Sequence, residues 1–307
     1  MAEYRDIYRR AANGEGQVVS FKYTCVNPRA IVQIVHDISE HSMRYHELAV
    51  ALNDSGFYVC GNDLIGHGMS KQGHQGCFGM KKNSYEGLLG DIDSLFNEVS
   101  AEVGGTVPRI IIGAGFGAML SELYTIKYGK ISMIISMENL EIPAALSFIK
   151  LNANNHIKRK GFNSVSESVH NTMYQMGKPA GSPPYNEFFW ISSDEEELKK
   201  YVDDEDCGFM LTASAYREMI SVIEQLRGKD GIVRLPDIPI YILDGSEDQR
   251  GNCGNSVMRI ANMLSAKGHN EVSYKLYKDC YHDILHDICK KQVIKDILGW
   301  IEHKLNK

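Results

Sequence analysis

Between an apolar run and a helix-patterned run lies Ile112-Gly113-Ala114-Gly115-Phe116-Gly117-Ala118. Two kinds of chemistry use glycines at such a junction. Gly113, Gly115 and Ala118 fit G-x-G-x-x-A, whose glycines let a pyrophosphate approach the N-terminus of a helix. In that reading Glu138, near the end of the next apolar run, would hold a ribose. Gly113 and Gly117 equally fit the outer positions of G-x-S-x-G, a sharp turn that presents a nucleophile at its centre. The central residue here is Gly115, which has no side chain to react. Two further polar residues follow later apolar runs: Asp248 in Asp244-Gly245-Ser246-Glu247-Asp248, and His282 in His282-Asp283-Ile284-Leu285. An acid and then a histidine after the elbow are the other members of a nucleophilic triad. The acid holds the imidazole tautomer and the imidazole is the general base. His286, four residues beyond His282, would pair with it as a metal ligand on a helix, but no third ligand accompanies the pair. Neither a metal nor a cofactor is therefore expected.

Two more motifs decide between the readings. His36-Asp37-Ile38-Ser39-Glu40-His41-Ser42, leading to Arg44-Tyr45, follows an early apolar run. Asp63-Leu64-Ile65-Gly66-His67-Gly68-Met69-Ser70 follows the next. With the glycine turn, Asp248 and His282, they resemble the ordered pattern of serine hydrolases of the monoacylglycerol lipase and lysophospholipase type, which carry a serine aminopeptidase S33-type domain. The resemblance runs nearly the whole chain and takes in Phe189-Trp190-Ile191-Ser192-Ser193-Asp194 and Asp206-Cys207-Gly208-Phe209. It implies an α/β-hydrolase fold, with a mostly parallel sheet, helices on both faces and a helical cap. It implies Asp248 as the acid, His282 as the base, and the main-chain N–H groups of Ile38 and Phe116 as the oxyanion hole. His67 is expected to be structural. The implied ligand is a small molecule, an acyl ester or another lipid-like compound held under the cap. Met173, Met176, Phe188 and Phe189 would line that space or form the cap's own core.

Three departures from the pattern fall on the reaction centre. Gly115 stands where the serine belongs, Ala114 where a histidine is common, and Asp37 where the early motif has glycine. Asp37 and Ala114 are both expected beside the substrate pocket. Without an Oγ at 115 no acyl-enzyme forms there, and a carboxylate at 37 opposes the charge that develops on an oxyanion. Ser121 lies within the following helix and Cys280 on an extended segment, so neither should replace the nucleophile. The expectation is an inactive or very weak hydrolase that keeps its acid–histidine pair. The alternatives are an ordinary serine ester hydrolase whose serine has been exchanged, and a dinucleotide-binding protein using Gly113, Gly115 and Ala118.

The elements that must position these residues are legible as short β-branched runs: 30–35, 56–60, 109–112, 131–135, 238–243 and 272–276. Such continuous runs fit strands buried on both faces. Between them, Leu88, Ile92, Leu95, Phe96, Val99 and Val103 recur at helical spacing, as do Val257, Ile260, Ala261 and Leu264, and then Val293, Ile294, Ile297 and Ile301. Residues 140–235 break the rhythm with Asn-rich, Gly/Pro-rich (177–184) and acidic (192–197) patches. They are read as a cap inserted between core segments 1–139 and 236–307.

The 307 residues are 43% hydrophobic and 23% charged, as in an ordinary folded chain. A net charge of −6 offers no basic surplus for nucleic acid. The start, Met1 to Asp6, is polar and lacks the apolar core of a signal peptide. No apolar stretch approaches the ~20 residues of a membrane span. Seven scattered cysteines without a CxxC pair fit free thiols in a reducing cytoplasm. Oligomeric state is not encoded in any of these features.

Overall fold

A computed structural model describes residues 4–71, 74–104, 106–141, 145–174, 188–227 and 230–306. Met176 and the 177–184 stretch lie outside the described residues. The framework is an eight-stranded sheet in the order β1-β2-β4-β3-β5-β6-β7-β8. Its strands are β1 (Tyr4–Arg10), β2 (Gln17–Tyr23), β3 (Ile31–Val35), β4 (Tyr58–Asn62), β5 (Arg109–Ala114), β6 (Met133–Met137), β7 (Ile240–Gly245) and β8 (Val272–Tyr277). From β4 to β8 every pairing is parallel, while β2 runs antiparallel to both β1 and β4.

Alternation along the central strands divides the core into two layers. Ile31, Val35, Ile111, Ile134, Ile240 and Ile242 face α2 (Tyr85–Val103), α3 (Phe116–Tyr128) and α8 (Asn255–Ala266). Val32, Ile34, Ile110, Ile112, Ile135 and Leu243 face α1 (His46–Asp54) and α9 (Lys290–Leu305). A strand apolar on both faces can be satisfied only this way, with helices above and below. This is the α/β-hydrolase fold.

Two details differ from the sequence expectation. The β1–β2 hairpin carries Asp6, Arg9 and Arg10 and so lacks the continuous apolar signature. It holds its place through the antiparallel ladder, with β1 as an edge. The 272–276 run was expected to be buried on both faces. As β8 it is the opposite edge strand, mostly half-buried, with Tyr274 exposed.

Between β6 and β7 come α4 (Leu146–Lys160), α5 (Glu167–Tyr174), α6 (Glu195–Asp203) and α7 (Ala213–Arg227). Helix α7 packs on both α3 and α4 and is buried among the core leucines Leu120 and Leu123. Met173 joins that same layer. Trp190, Ile191, Tyr201 and Cys207, with Phe188 and Phe189 against them, form a small separate cluster.

Parallel strands put the ends of β3, β5, β6, β7 and the loop after β8 along one rim, where α/β sheets hold their ligands. The turn from β5 into α3 is the tightest point. Gly115 sits at φ 51°, ψ −115°, a conformation open essentially to glycine alone unless strain is stored there. A methyl group at Gly117 would run into the carbonyl oxygens of Val35 and His36, and one at Gly113 into Gly117 and Ala118. Gly117 is required by the approach of α3 to β3, and Gly113 by the close passage of the first turn of α3 over β5. We expect Gly117→Ala to lower stability by about 2–3 kcal/mol, as an overpacking change at rigid backbone. Thermal unfolding should record this as roughly 3–5 °C in Tm; an unchanged Tm would contradict the tight crossing.

Candidate active site

The loop after β8 brings His282 to the loop after β7, and there His282 Nδ1 lies 3.0 Å from Asp248 Oδ2. Both side chains are buried. Asp248 is fixed by its own loop, since its carboxylate also accepts from the N–H groups of Arg250 (2.8 Å) and Gly251 (3.1 Å). Burial alone would raise the Asp248 pKa, but the His282 charge and hydrogen bond lower it. Burial would likewise lower His282, yet the charges of Asp248 and Glu138 and the Asp37 hydrogen bond hold it well above an ordinary imidazole. Asp244, behind the pair, is driven well above the usual carboxylate range by burial and by Asp248. His282 therefore favours its charged form, bounded by several carboxylates.

Among the described residues no hydroxyl is hydrogen-bonded to Nε2 of that imidazole. Asp37 Oδ2 lies 3.5 Å away instead. Asp37 Oδ1 accepts the Phe116 N–H at 2.5 Å. That N–H is one of the two donors expected to form the oxyanion hole. The same carboxylate fills the space above Gly115, where a Cβ would overlap its carbon and both its oxygens. The departures at 37 and 115 are thus one steric arrangement: the side chain absent from the elbow is replaced, in space, by one from the loop after β3.

The neighbours of Asp37 in its own motif form its support. Glu40 accepts the Asp37 N–H at 2.9 Å and the Tyr45 hydroxyl at 2.7 Å through Oε1, and Arg44 Nε at 2.9 Å through Oε2. Arg44 also pairs with Asp283, next to His282. Asp283 lies below the usual carboxylate range, because His286 and Arg44 outweigh the effect of burial. The second motif is equally structural. His36 Nε2 accepts from Leu64 N–H (2.9 Å), and Asp63 accepts from Ser42 and Met69. His67, expected to be structural, is wholly buried against Phe78 and Phe209; burial and His36 push its pKa down to about 3. The inserted segment docks on this support. Gly208 N–H and Tyr201 Oη donate to the Ser39 carbonyl, while His282 and Asp283 N–H groups donate to the Trp190 and Ile191 carbonyls.

The remaining candidate residues divide plainly. Asp37, Ile38, Glu138, Trp190, Arg250 and His282 are among those lining a cavity of about 20 Å³. That is room for one water-sized occupant, far below the several hundred Å³ of an acyl pocket. Ala114 is the last residue of β5, is buried in the apolar layer facing α1 and α9, and does not line this cavity. The Ser121 hydroxyl donates to the Gly117 carbonyl within α3, and Cys280 is buried, so neither approaches the elbow. His286 cannot share a metal with His282 as the spacing invited, because its ring nitrogens lie 2.8 Å from Asp283 and 2.9 Å from the Arg44 carbonyl. Glu138 enters the site from the end of β6, at φ 58°, with Oε1 buried and unpartnered. The sequence had singled it out only for a ribose. A dinucleotide is disfavoured by charge, since the Asp37 carboxylate already occupies the N-terminus of α3 where a pyrophosphate would sit.

Residues 26–288 match the family described as serine aminopeptidase, S33. The chain is 24% identical over 280 residues to a monoacylglycerol lipase of Mycolicibacterium smegmatis, covering 90% of this chain and 89% of that protein. It is 23% identical over 288 residues to an abhydrolase domain-containing protein of Dictyostelium discoideum, covering 91% of this chain and spanning only 27% of that protein. Among solved structures, a thermostable carboxyl esterase from Bacillus coagulans, crystallised with glycerol, superposes with a TM-score of 0.90. It is 26% identical and is covered over 99% of both chains.

Arg44 is the buried cation shared by Glu40 and Asp283. Replacing it by Met leaves Glu40 without a counter-charge and Asp283 with His286 alone, so Arg44→Met should cost about 3–5 kcal/mol in urea unfolding. Adding Glu40→Gln should recover part of that loss, through a coupling of about 1 kcal/mol or more. Strictly additive effects would show that the three groups do not act together.

Proposed function

The chain belongs to the serine aminopeptidase S33 family, and from that premise we propose that it is a monoacylglycerol lipase-like α/β-hydrolase whose ester-cleaving centre is closed from within. The observation that carries this reading is the double placement of Asp37, over Gly115 and on the Phe116 N–H. Acyl transfer needs a nucleophile beneath the carbonyl and a free donor for the oxyanion. Gly115 supplies no nucleophile, and a carboxylate occupies the donor. Asp248 and His282 remain as the acid and base of the ancestral triad, with Ile38 and Phe116 as its oxyanion pair. Without a hydroxyl to deprotonate, the imidazole serves as a charged anchor in an acidic site.

We assign residues 140–235 to the cap and 1–139 with 236–307 to the core. The support is the run of helices between β6 and β7 and the docking of Trp190, Tyr201 and Gly208 on the Ser39 and His282 loops. The ligand class is a small lipid-like ester or its product, which fits relatives named for monoacylglycerol and carboxyl-ester hydrolysis. Free cysteines fit a reducing, cytoplasmic setting. Among the described residues no helix is long and apolar enough to cross a membrane. The fit of Asp37 to the emptied elbow also favours natural divergence over a serine exchanged alone, because removing a serine does not supply its replacement.

Ester hydrolysis by four proteins tests the reading: the parent, Gly115→Ser, Asp37→Gly, and the double variant. The parent and Asp37→Gly should be silent for want of a nucleophile. Gly115→Ser should also be silent and less stable by about 1–3 kcal/mol, because the new side chain meets Asp37 in a strained turn. The double variant should exceed each single by at least ~100-fold, the scale of regaining an oxyanion donor. Rapid turnover by the parent, or full activity in Gly115→Ser alone, would sink the proposal.

A further inference from the structure

Asp37, Glu138 and His282 each offer one ligand atom, and these atoms lie within 4.8 Å of one another. They come from the ends of β3 and β6 and the loop after β8, the fixed rim of the sheet. The Asp37–His282 separation of 3.5 Å is long for a hydrogen bond. It is close to the roughly 3.4 Å between two ligand atoms held ~2.1 Å from one tetrahedral ion. Glu138 is the independent sign that something belongs there. Its side chain is 2% exposed, it lines the 20 Å³ cavity, and its Oε1 has no hydrogen-bond partner. A buried carboxylate oxygen without a partner is costly to fold around. A cation in the adjoining cavity removes that cost.

We propose that Asp37, Glu138 and His282 bind one divalent transition-metal ion of the zinc class. One imidazole with two carboxylates suits such an ion, and three protein ligands leave a fourth position for water. The outer shell is already built. Asp248 holds Nδ1 of His282 and so directs Nε2 at the ion, which displaces the Nε2 proton to solvent as it binds, in the usual carboxylate–histidine–metal relay. The Phe116 N–H fixes the second oxygen of Asp37, and Glu40 fixes its main chain. The cavity has room for one small occupant, the size of a single ion. The other cluster of this kind among the described residues, His41, Asp204 and Cys207, lacks the independent sign, because His41 Nε2 already pairs with Asp204 at 3.0 Å.

This proposal uses the same site as the closed-centre reading but does not require the absence of ester hydrolysis, so the two fail separately. Protein stripped with a chelator would be titrated with Zn²⁺ by calorimetry and with Co²⁺ by visible absorption. The expected result is one ion per chain and a tetrahedral Co²⁺ spectrum, retained in Cys207→Ser. Glu138→Gln and Asp37→Asn should each weaken binding at least ~100-fold, and Asp248→Asn by about 10–100-fold. Circular dichroism would establish that each variant is folded; Asp37→Asn, at the more open ligand, carries the test if Glu138→Gln does not fold. The proposal is overturned by the absence of a one-to-one site in the parent. Binding unchanged in the folded ligand variants, or lost in Cys207→Ser, overturns it equally. The ester assay reports on the closed centre independently of any of these outcomes.

Discussion

The Asp37 carboxylate determines what the centre of this molecule can do. It lies over an elbow that has no side chain and takes the N–H that begins α3. A helix N-terminus favours an anion, so the carboxylate gains from a place where a reacting ester would need the donor for itself. Because that position is also within reach of His282, one side chain fills the volume above Gly115, takes the Phe116 N–H and adds negative charge beside the imidazole. Asp37, from the loop after β3, leaves the turn at Gly115 fully packed.

The surroundings explain why the arrangement is stable. Glu40 holds the Asp37 main chain, Arg44 holds Glu40, and Asp283 holds Arg44, so the early loop and the histidine loop are tied through buried charge. The inserted helices complete the tie by donating to and accepting from the same loops. Such a network is costly to disturb at one member and gives the site a single geometry. Its carboxylates outnumber its cations near His282, which fits a charged imidazole in the empty site and a metal ion that displaces the imidazole proton when bound.

Much of the fold was legible from a few segments. The runs that became β3, β5, β6 and β7 are apolar on both faces, and only a sheet covered by helices on both sides satisfies them. The β1–β2 hairpin was missed because its charged residues hide the ladder that holds it, and β8 was taken as more buried than an edge strand can be. At the site, motif order singled out Asp248 and His282, whose side chains lie 3.0 Å apart. Ala114, beside the turn in sequence, alternates to the opposite face of the sheet. Glu138 was noticed for a different ligand, since nothing local in its segment announces Asp37 or His282 as neighbours.

The sequence by itself determined the absence of a hydroxyl at 115, the presence of a carboxylate at 37 and the order of the acid and histidine, because these are matters of residue identity and motif spacing. It also determined the layered α/β core, because burial periodicity is local. Only the tertiary structure decided that the carboxylate occupies the emptied place and takes Phe116 N–H, and that Glu138 joins it beside His282. Those relations join the ends of strands far apart along the chain. Parallel pairing brings those ends to one rim, and a few ångströms of side-chain reach decide which groups meet there.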